Sequence, residues 1–600
     1  MKKLIAILLC AAALITPVMA AGNSADELVV GTTTPMTGAF ATDAWSLNAA
    51  DMDVRDLIHG YELTGWSSAE STFIINPTVV KNFTALSTAG AHSYTIRLNE
   101  DLKWSDGTKI TAWDYAFSIL LSSSPAIAEL GGSTGSLSQI QGVEAYSEGK
   151  SNGIKGVSVV NDSTLKITMT PDYDPHFFYL GLFDIKPYPI SEIAPGCTVK
   201  NGGQGVYISG DFTKALLEKN LVNGYATNPK VVSGPYKLVS YDANALEATF
   251  EINPYFKGDL NGVKPSIKKI IFRYIPSEKV AEEVKNGSVD LMNRVTLAES
   301  IDALKTGTNV KSVAYPRAGL SFISFCCEKE TVSTAEVRQA IAYCFDRAAF
   351  AKAIVGSYGE VPGGFYGKGQ WMVQLMNGKL TPPKDMPVAK LNQLRRLNLG
   401  QITDYAFDTA KAAELLEQHG WKLGSDGIRA KGNVKLELEL AYPEGSAVAD
   451  VLPGTLVDNL KKVGIELTLK GVKSDELLRQ YYRQEDRSSD MIYMATNFNT
   501  VYDPAENFAL DEAHQTVYNR TALEDRNLYT LAVQLRKTIP GDLAEYCSRW
   551  LKFEDYLMKQ LPMIPAYTND YYDYYVSGLK GYNITSYMTW AKAIVAATME

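Results

Sequence analysis

Beyond its first twenty residues the sequence contains no apolar run approaching the ~18–20 residues a membrane-spanning helix requires. It lacks a Cys-x-x-Cys pair at zinc spacing and a His-Glu-x-x-His helix. Its five histidines (His59, His92, His176, His419 and His514) are scattered, so a zinc hydrolase has no support. It has no Walker-A loop, no solenoid repeat and no low-complexity tail. Positive charge is also in short supply: 58 Lys and Arg face 67 Asp and Glu, a net charge of −9. That balance favours solubility and argues against nucleic acid or an anionic membrane as partner. Gly131-Gly132-Ser133-Thr134-Gly135 spells G-x-S-x-G, but a nucleophile elbow needs a strand before it and a helix after it, and this one sits in a Gly/Ser-rich loop. Carboxylates are plentiful, yet nothing selects a pair of them for glycoside hydrolysis.

What is present begins at the N-terminus. Lys2 and Lys3 precede an apolar run from Leu4 to Leu14, and Val18-Met19-Ala20 supplies small residues where a signal peptidase reads. Residues 1–20 are thus expected to be a cleaved export signal. Cleavage after Ala20 would take two lysines with it and leave a net charge of −11. Leu9 ahead of Cys10 argues against lipidation there, because that position is normally small. Five cysteines remain: Cys197, Cys326, Cys327, Cys344 and Cys547. An odd count leaves at least one without an internal partner, and buried apolar thiols are the expected state.

The length implies two or more packed units, and strands and helices are mixed throughout, as in an α+β or α/β protein. Val157–Val160 and Leu165–Thr170 flank a turn and predict a hairpin, and Ile270–Tyr274 predicts a strand. Asp408 is placed to cap a helix that Gly420 stops. Val451–Val463 carries apolar residues at helical spacing and precedes a strand at Ile465–Leu469. Pro316–Ser324 and Pro562–Pro565 are candidate crossings between two lobes; two such connections restrict motion to hinge bending.

Several motifs follow one another in a fixed order. They are Tyr94-Thr95-Ile96-Arg97-Leu98, Lys103-Trp104-Ser105-Asp106-Gly107, Thr111-Ala112-Trp113-Asp114-Tyr115-Ala116-Phe117-Ser118, Gly234-Pro235-Tyr236 and Asn253-Pro254-Tyr255-Phe256. Val337-Arg338-Gln339-Ala340-Ile341-Ala342, Phe345-Asp346-Arg347, Gly420-Trp421, Lys461-Lys462-Val463-Gly464-Ile465 and Leu561-Pro562-Met563-Ile564-Pro565 complete the series. In order and spacing they resemble the family 5 extracellular solute-binding proteins, the oligopeptide- and dipeptide-binding group of ABC importers. As caps and turns, most of these residues are expected to serve the scaffold.

The resemblance implies an α/β bilobal periplasmic-binding-protein fold (type II, cluster C). Lobe 1 would comprise 21–72, 186–312 and 566–600, an extra subdomain 73–185, and lobe 2 313–565. It further implies an exported, monomeric binder in the periplasm or at the outer face of the cytoplasmic membrane, closing on a peptide-like solute and delivering it to a permease. No cofactor, metal, nucleic acid or catalysis is expected. Peptide-binding relatives carry Trp-x-x-Asp-x-x-Asp/Glu-Pro, whose first acid holds the peptide ammonium. Here the stretch reads Asn497-Phe498-Asn499-Thr500-Val501-Tyr502-Asp503-Pro504, with Asn497 for the tryptophan and Thr500 for the acid. A buried ammonium without a carboxylate is costly, so the ligand is expected to be anchored differently. Phe40, Trp45, Asn497, Asn499, Thr500 and Tyr502 are the candidate ligand-binding residues. A secreted hydrolase and a ligand-sensing module without transport remain the alternatives.

Overall fold

The computed structural model describes residues 26–600 apart from 47, 68–69, 89–90, 134–136, 172, 174–175, 307–309 and 512–517. The expected leader, Cys10, His514 and the last two residues of the G-x-S-x-G stretch lie outside the described residues. Among the described residues no helix is long and apolar enough to cross a membrane.

One strand organises the chain. Met563–Val576 sits in the middle of a 12-stranded sheet and pairs with both of its halves. Its first residues pair with Gly319–Phe325, from Ser324 opposite Met563 to Ser321 opposite Tyr567. From Asp570 onward it pairs with Val310–Pro316, and its C-terminal end also pairs with Leu291–Val295. On the lobe-1 side the sheet continues through Glu27–Thr32, Lys269–Tyr274, Glu247–Ile252 and Tyr236–Asp242. On the lobe-2 side it continues through Met491–Asn497, Glu437–Pro443 and Glu466–Val472. Pro316 ends one strand, and after a two-residue link Gly319 opens the next. The proline-rich Pro562–Pro565 stretch opens the long strand, whose change of partner falls further on, at Asn569–Asp570. Pro565 is tolerated inside the strand because it lies at a register shift, where no ladder donor is required.

The two halves have separate cores, as expected of two layered units. Leu28, Val54, Phe272 and Trp590 belong to one, and Phe325, Val337, Leu440 and Trp550 to the other. A third core, with Ile96, Trp104, Tyr115 and Leu165, fills the subdomain. Its four-stranded sheet contains the predicted hairpin as Val157–Asn161 and Thr164–Thr168. The helix capped by Asp408 runs Thr409–Gln418, with the carboxylate accepting from the Lys411 N–H at 2.9 Å. The single helix expected over Val451–Val463 is instead three segments: Val448–Leu452, a π-turn Pro453–Val457, and Asp458–Lys462. Pro453 has no N–H to continue the regular ladder, so the chain adopts the wider turn there.

The ordered motifs are scaffold. Thr111 and Asp114 form a reciprocal capping box on the helix Ala112–Ser122. Gly107 has φ +87°, and a Cβ there would lie 3.0 Å from the Tyr255 ring, so two separate motifs meet at a position only glycine suits. Arg338 is almost fully buried and forms no ion pair among the described residues; its guanidinium donates to the carbonyls of Val332, Ser333, Gln560 and Leu561. It therefore ties its own helix to the end of the long helix Leu543–Gln560.

All five described cysteines are free and buried. Burial pushes the thiols of Cys326 and Cys344 up to about 12 and that of Cys327 to about 11, so little reactive thiolate forms. A disulfide-exchange thiol titration is expected to count none of the five in the native protein and all five in denaturant. Native labelling of any of them would contradict this packing.

Glu554 is the other buried group with a consequence. It has no exposed surface; one carboxyl oxygen accepts the Phe365 N–H, and the other has no partner among the described residues. Burial pushes its pKa from 4.5 up to about 8, outweighing the Phe365 bond. The folded state thus holds this proton more tightly than the unfolded chain. The stability this contributes is complete below about pH 4.5 and is lost as pH rises through about 8. Glu554→Gln, neutral throughout, is expected to gain melting temperature relative to the parent between about pH 5 and 8, then hold a constant gap. A gap independent of pH would refute a protonated Glu554.

Candidate functional site

The end of strand Met491–Asn497 and the loop after it carry four of the six candidate residues, and they lie where the two halves of the molecule meet. Asn497 is exposed, and its Oδ1 accepts from Arg317 Nε at 2.7 Å and from the Tyr571 hydroxyl at 3.4 Å. Asn499 is exposed. The Thr500 carbonyl accepts the Trp371 indole N–H at 3.0 Å. Tyr502 is nearly buried, edge-on to Phe498, and its carbonyl accepts the Tyr546 hydroxyl at 2.5 Å.

Phe40 and Trp45 lie elsewhere. Phe40 has no exposed surface and packs edge-on to Tyr241 within the lobe-1 core, so in this conformation it has no ring face to offer a ligand. Its carbonyl is bonded by His59 Nε2 at 2.9 Å. Burial holds His59 down to about 3, so its imidazole is neutral and donates that bond. Trp45 donates its indole N–H to Leu130 at 3.1 Å and packs against a small separate cluster containing Phe117 and Leu217. Both aromatics fold inward, where they fill nearby apolar clusters.

Across from the loop, residues 176–182 bring the subdomain against lobe 2. Phe177 stacks on Tyr546 with ring centroids 4.1 Å apart, and Phe178 meets the same ring edge-on at 5.3 Å. Both also contact Trp371, and Trp66 approaches it from the other side at 6.0 Å. The Phe177 N–H donates to the Arg536 carbonyl at 2.9 Å, and Ser71 Oγ donates to Thr381 at 3.0 Å. Phe73 and Phe178 are thus part of the lobe-2 core, and the lobes are in contact. The aromatics leave a cavity of about 30 Å³, room for a water or two and no more.

Charge is managed at the same contact. Asp503 accepts from Arg536 Nε at 2.6 Å and lies 3.6 Å from His176 Nε2, which comes from the subdomain. Burial alone would raise the Asp503 pKa; His176 and Arg536 outweigh it and hold the carboxyl below its ordinary value. The matched Asp503 is therefore an internal partner. Arg317, Trp371, Tyr546, Phe177 and His176 escaped sequence reasoning. They come from four distant parts of the chain, and Trp371 sits in a Gly-rich excursion with no periodicity to mark it. Among the described residues no group of three or more His, Cys, Asp or Glu could hold a metal ion.

This architecture and contact can be set beside known proteins. An oligopeptide-binding protein OppA of Lactococcus lactis subsp. lactis is 26% identical over 403 residues, covering 62% of this chain and 57% of the relative. The match thus spans less than two thirds of that curated relative's length. The structure of lactococcal OppA complexed with an endogenous peptide in the closed conformation superposes with a TM-score of 0.72, at 18% identity, covering 96% of this chain and 100% of the other. The oligopeptide-binding protein AppA of Bacillus subtilis, in complex with a nonapeptide, gives 0.68 at 18% identity, covering 96% and 99%. These likenesses establish the bilobal fold. Residues 79–518, well over half of the chain, match the model of the bacterial extracellular solute-binding proteins, family 5, and the chain belongs to that family.

Proposed function

We propose that this protein is the exported binding component of an ATP-driven importer, capturing peptides or peptide-like solutes between its lobes and presenting the closed form to a membrane permease. The observation that carries this reading is the interlobe contact itself. Two halves joined by a shared strand and a short link meet across the 497–502 loop and a set of aromatics. Both lobes contribute to such a surface, so a ligand held between them shifts the hinge equilibrium by its preference for the closed state. Relatives named for oligopeptide binding support the solute class.

In this reading lobe 1 comprises 21–72, 186–312 and the chain end, and lobe 2 begins at 313, with the subdomain 73–185 riding on lobe 1. The second hinge is the partner change at Asn569–Asp570. Asn497, Asn499, Thr500 and Tyr502 line the closing face. Residues 1–20 are removed on export, and the mature protein works as a monomer in the periplasm or at the outer face of the cytoplasmic membrane. It binds without catalysis.

The test is native mass spectrometry of protein purified from its host, followed by titration with a mixture of short peptides. Retained or acquired peptide masses support the reading; none retained and none bound sinks it. Phe177→Ala removes the main aromatic bridge between the lobes and is expected to open the unliganded protein in small-angle scattering. Peptide affinity should fall by about tenfold or more, because less of the protein then populates the binding-competent state. Unchanged scattering together with unchanged affinity would show that Phe177 has no part in closure.

A further inference from the structure

Around the interlobe contact the described acids already have partners. Asp503 and Glu506 face Arg536 at 2.6 and 3.6 Å. Asp570 is paired with Lys368 at 2.9 Å. Asp573 is buried and accepts from Asn293, the Arg294 N–H, Tyr315 and Tyr582. Asp53 takes both terminal nitrogens of Arg294 at 2.9 Å. The loop Asn497-Phe498-Asn499-Thr500-Val501-Tyr502 carries no charge at all.

Arg317 is the exception. It occupies the two-residue link between Val310–Pro316 and Gly319–Phe325, at the hinge. Its Nε donates to Asn497 Oδ1 at 2.7 Å, one terminal nitrogen donates to Asn569 Oδ1 at 3.3 Å, and the other to the Thr496 carbonyl at 3.1 Å. Its guanidinium lies 5.9 Å from the centre of the Tyr571 ring. Every one of these partners is neutral, and no carboxylate among the described residues forms an ion pair with it. Three of its five N–H groups are used, which leaves one on each terminal nitrogen, the arrangement that grips a carboxylate in a fork. The side chain is held in place by two asparagine side-chain oxygens and one backbone carbonyl, so little ordering remains to be done when a ligand arrives.

We propose that Arg317 anchors the ligand through a carboxylate, either the free C-terminus of a peptide or an acidic side chain, and that binding requires no free amino terminus. This rests on the peptide reading above. Lobe closure removes water from the site, where a charge-assisted pair is stronger than at an open surface. An ammonium delivered to the same place would meet an unneutralised positive charge. Arg317 is then a specificity-determining residue, and Asn497 its positioning residue.

The experiment uses the full mature chain and one synthetic mixture of short peptides in four forms: unmodified, N-acetylated, C-terminally amidated and fully methyl-esterified. Binding is read by calorimetry and native mass spectrometry. The unmodified and N-acetylated forms are expected to bind alike, and the esterified form about ten- to hundredfold more weakly. If amidation alone causes the loss, the anchored group is the C-terminus; if only full esterification does, it is an acidic side chain. Arg317→Gln is expected to bring the unmodified form down to the esterified level and erase the discrimination, while Arg317→Lys retains part of it. A hinge brace without ligand contact would weaken all four forms equally, so discrimination surviving in Arg317→Gln overturns the proposal. So does an esterified form that binds the parent protein as tightly as the free acid, or a loss of binding on N-acetylation. Failure of all four forms to bind would overturn the peptide reading itself and this inference with it.

Discussion

The strand Met563–Val576 shares its backbone hydrogen bonds between two half-sheets, and this constrains the rest of the molecule. Because both lobes are laddered onto one continuous segment, relative motion must be absorbed by a few dihedrals where partners change. Those places are Arg317–Ala318 on one connection and Asn569–Asp570 on the other. Both are braced: the Arg317 N–H donates to the Asn569 carbonyl at 3.0 Å, and Thr568 Oγ1 donates to the Gly319 carbonyl at 2.8 Å. A third segment lies flat on the hinge, and it can do so only because it is glycine. A Cβ at Gly367 would fall 2.2 Å from the Gly319 nitrogen, and one at Gly369 2.3 Å from the Pro316 carbonyl.

With the hinge fixed, the energetics of closure are set by what the lobes bring together. The aromatic side of the contact, Phe177 and Phe178 against Tyr546 and Trp371, contributes by burying apolar ring area. The polar side is largely neutralised within the protein, since Asp503, Arg536 and His176 satisfy one another. Under the proposed function, that division leaves discrimination to the small remainder of unneutralised polar groups near the hinge. Asn497 stands where peptide-binding relatives carry tryptophan, and in this chain its amide oxygen fixes the arginine of the crossing link.

How much was legible in the sequence follows from which interactions are local. The capping box of Thr111 and Asp114, the Asp408 cap and the hairpin around Asn161 depend on residues a few positions apart, so their spacing revealed them. The order of the scaffold motifs carried the fold, because caps, tight turns and buried guanidinium clamps such as Arg338 tolerate few residue types. Phe40 and Trp45 show the limit: an aromatic residue reads the same whether it fills a core or lines a cleft. The helix over Val451–Val463 shows another, since apolar spacing survives a π-turn that the proline at 453 imposes.

The sequence by itself determined that this chain is a mixed α/β protein of the family 5 type, that its thiols need not pair, and that the usual acid is missing at Thr500. Only the tertiary structure decided what stands near that gap. Arg317 and Asn497 are 180 positions apart, and Phe177 meets Tyr546 across most of the chain. Such pairs leave no periodicity or spacing in the sequence, because their contact is created by two lobes folding onto one strand and closing upon each other.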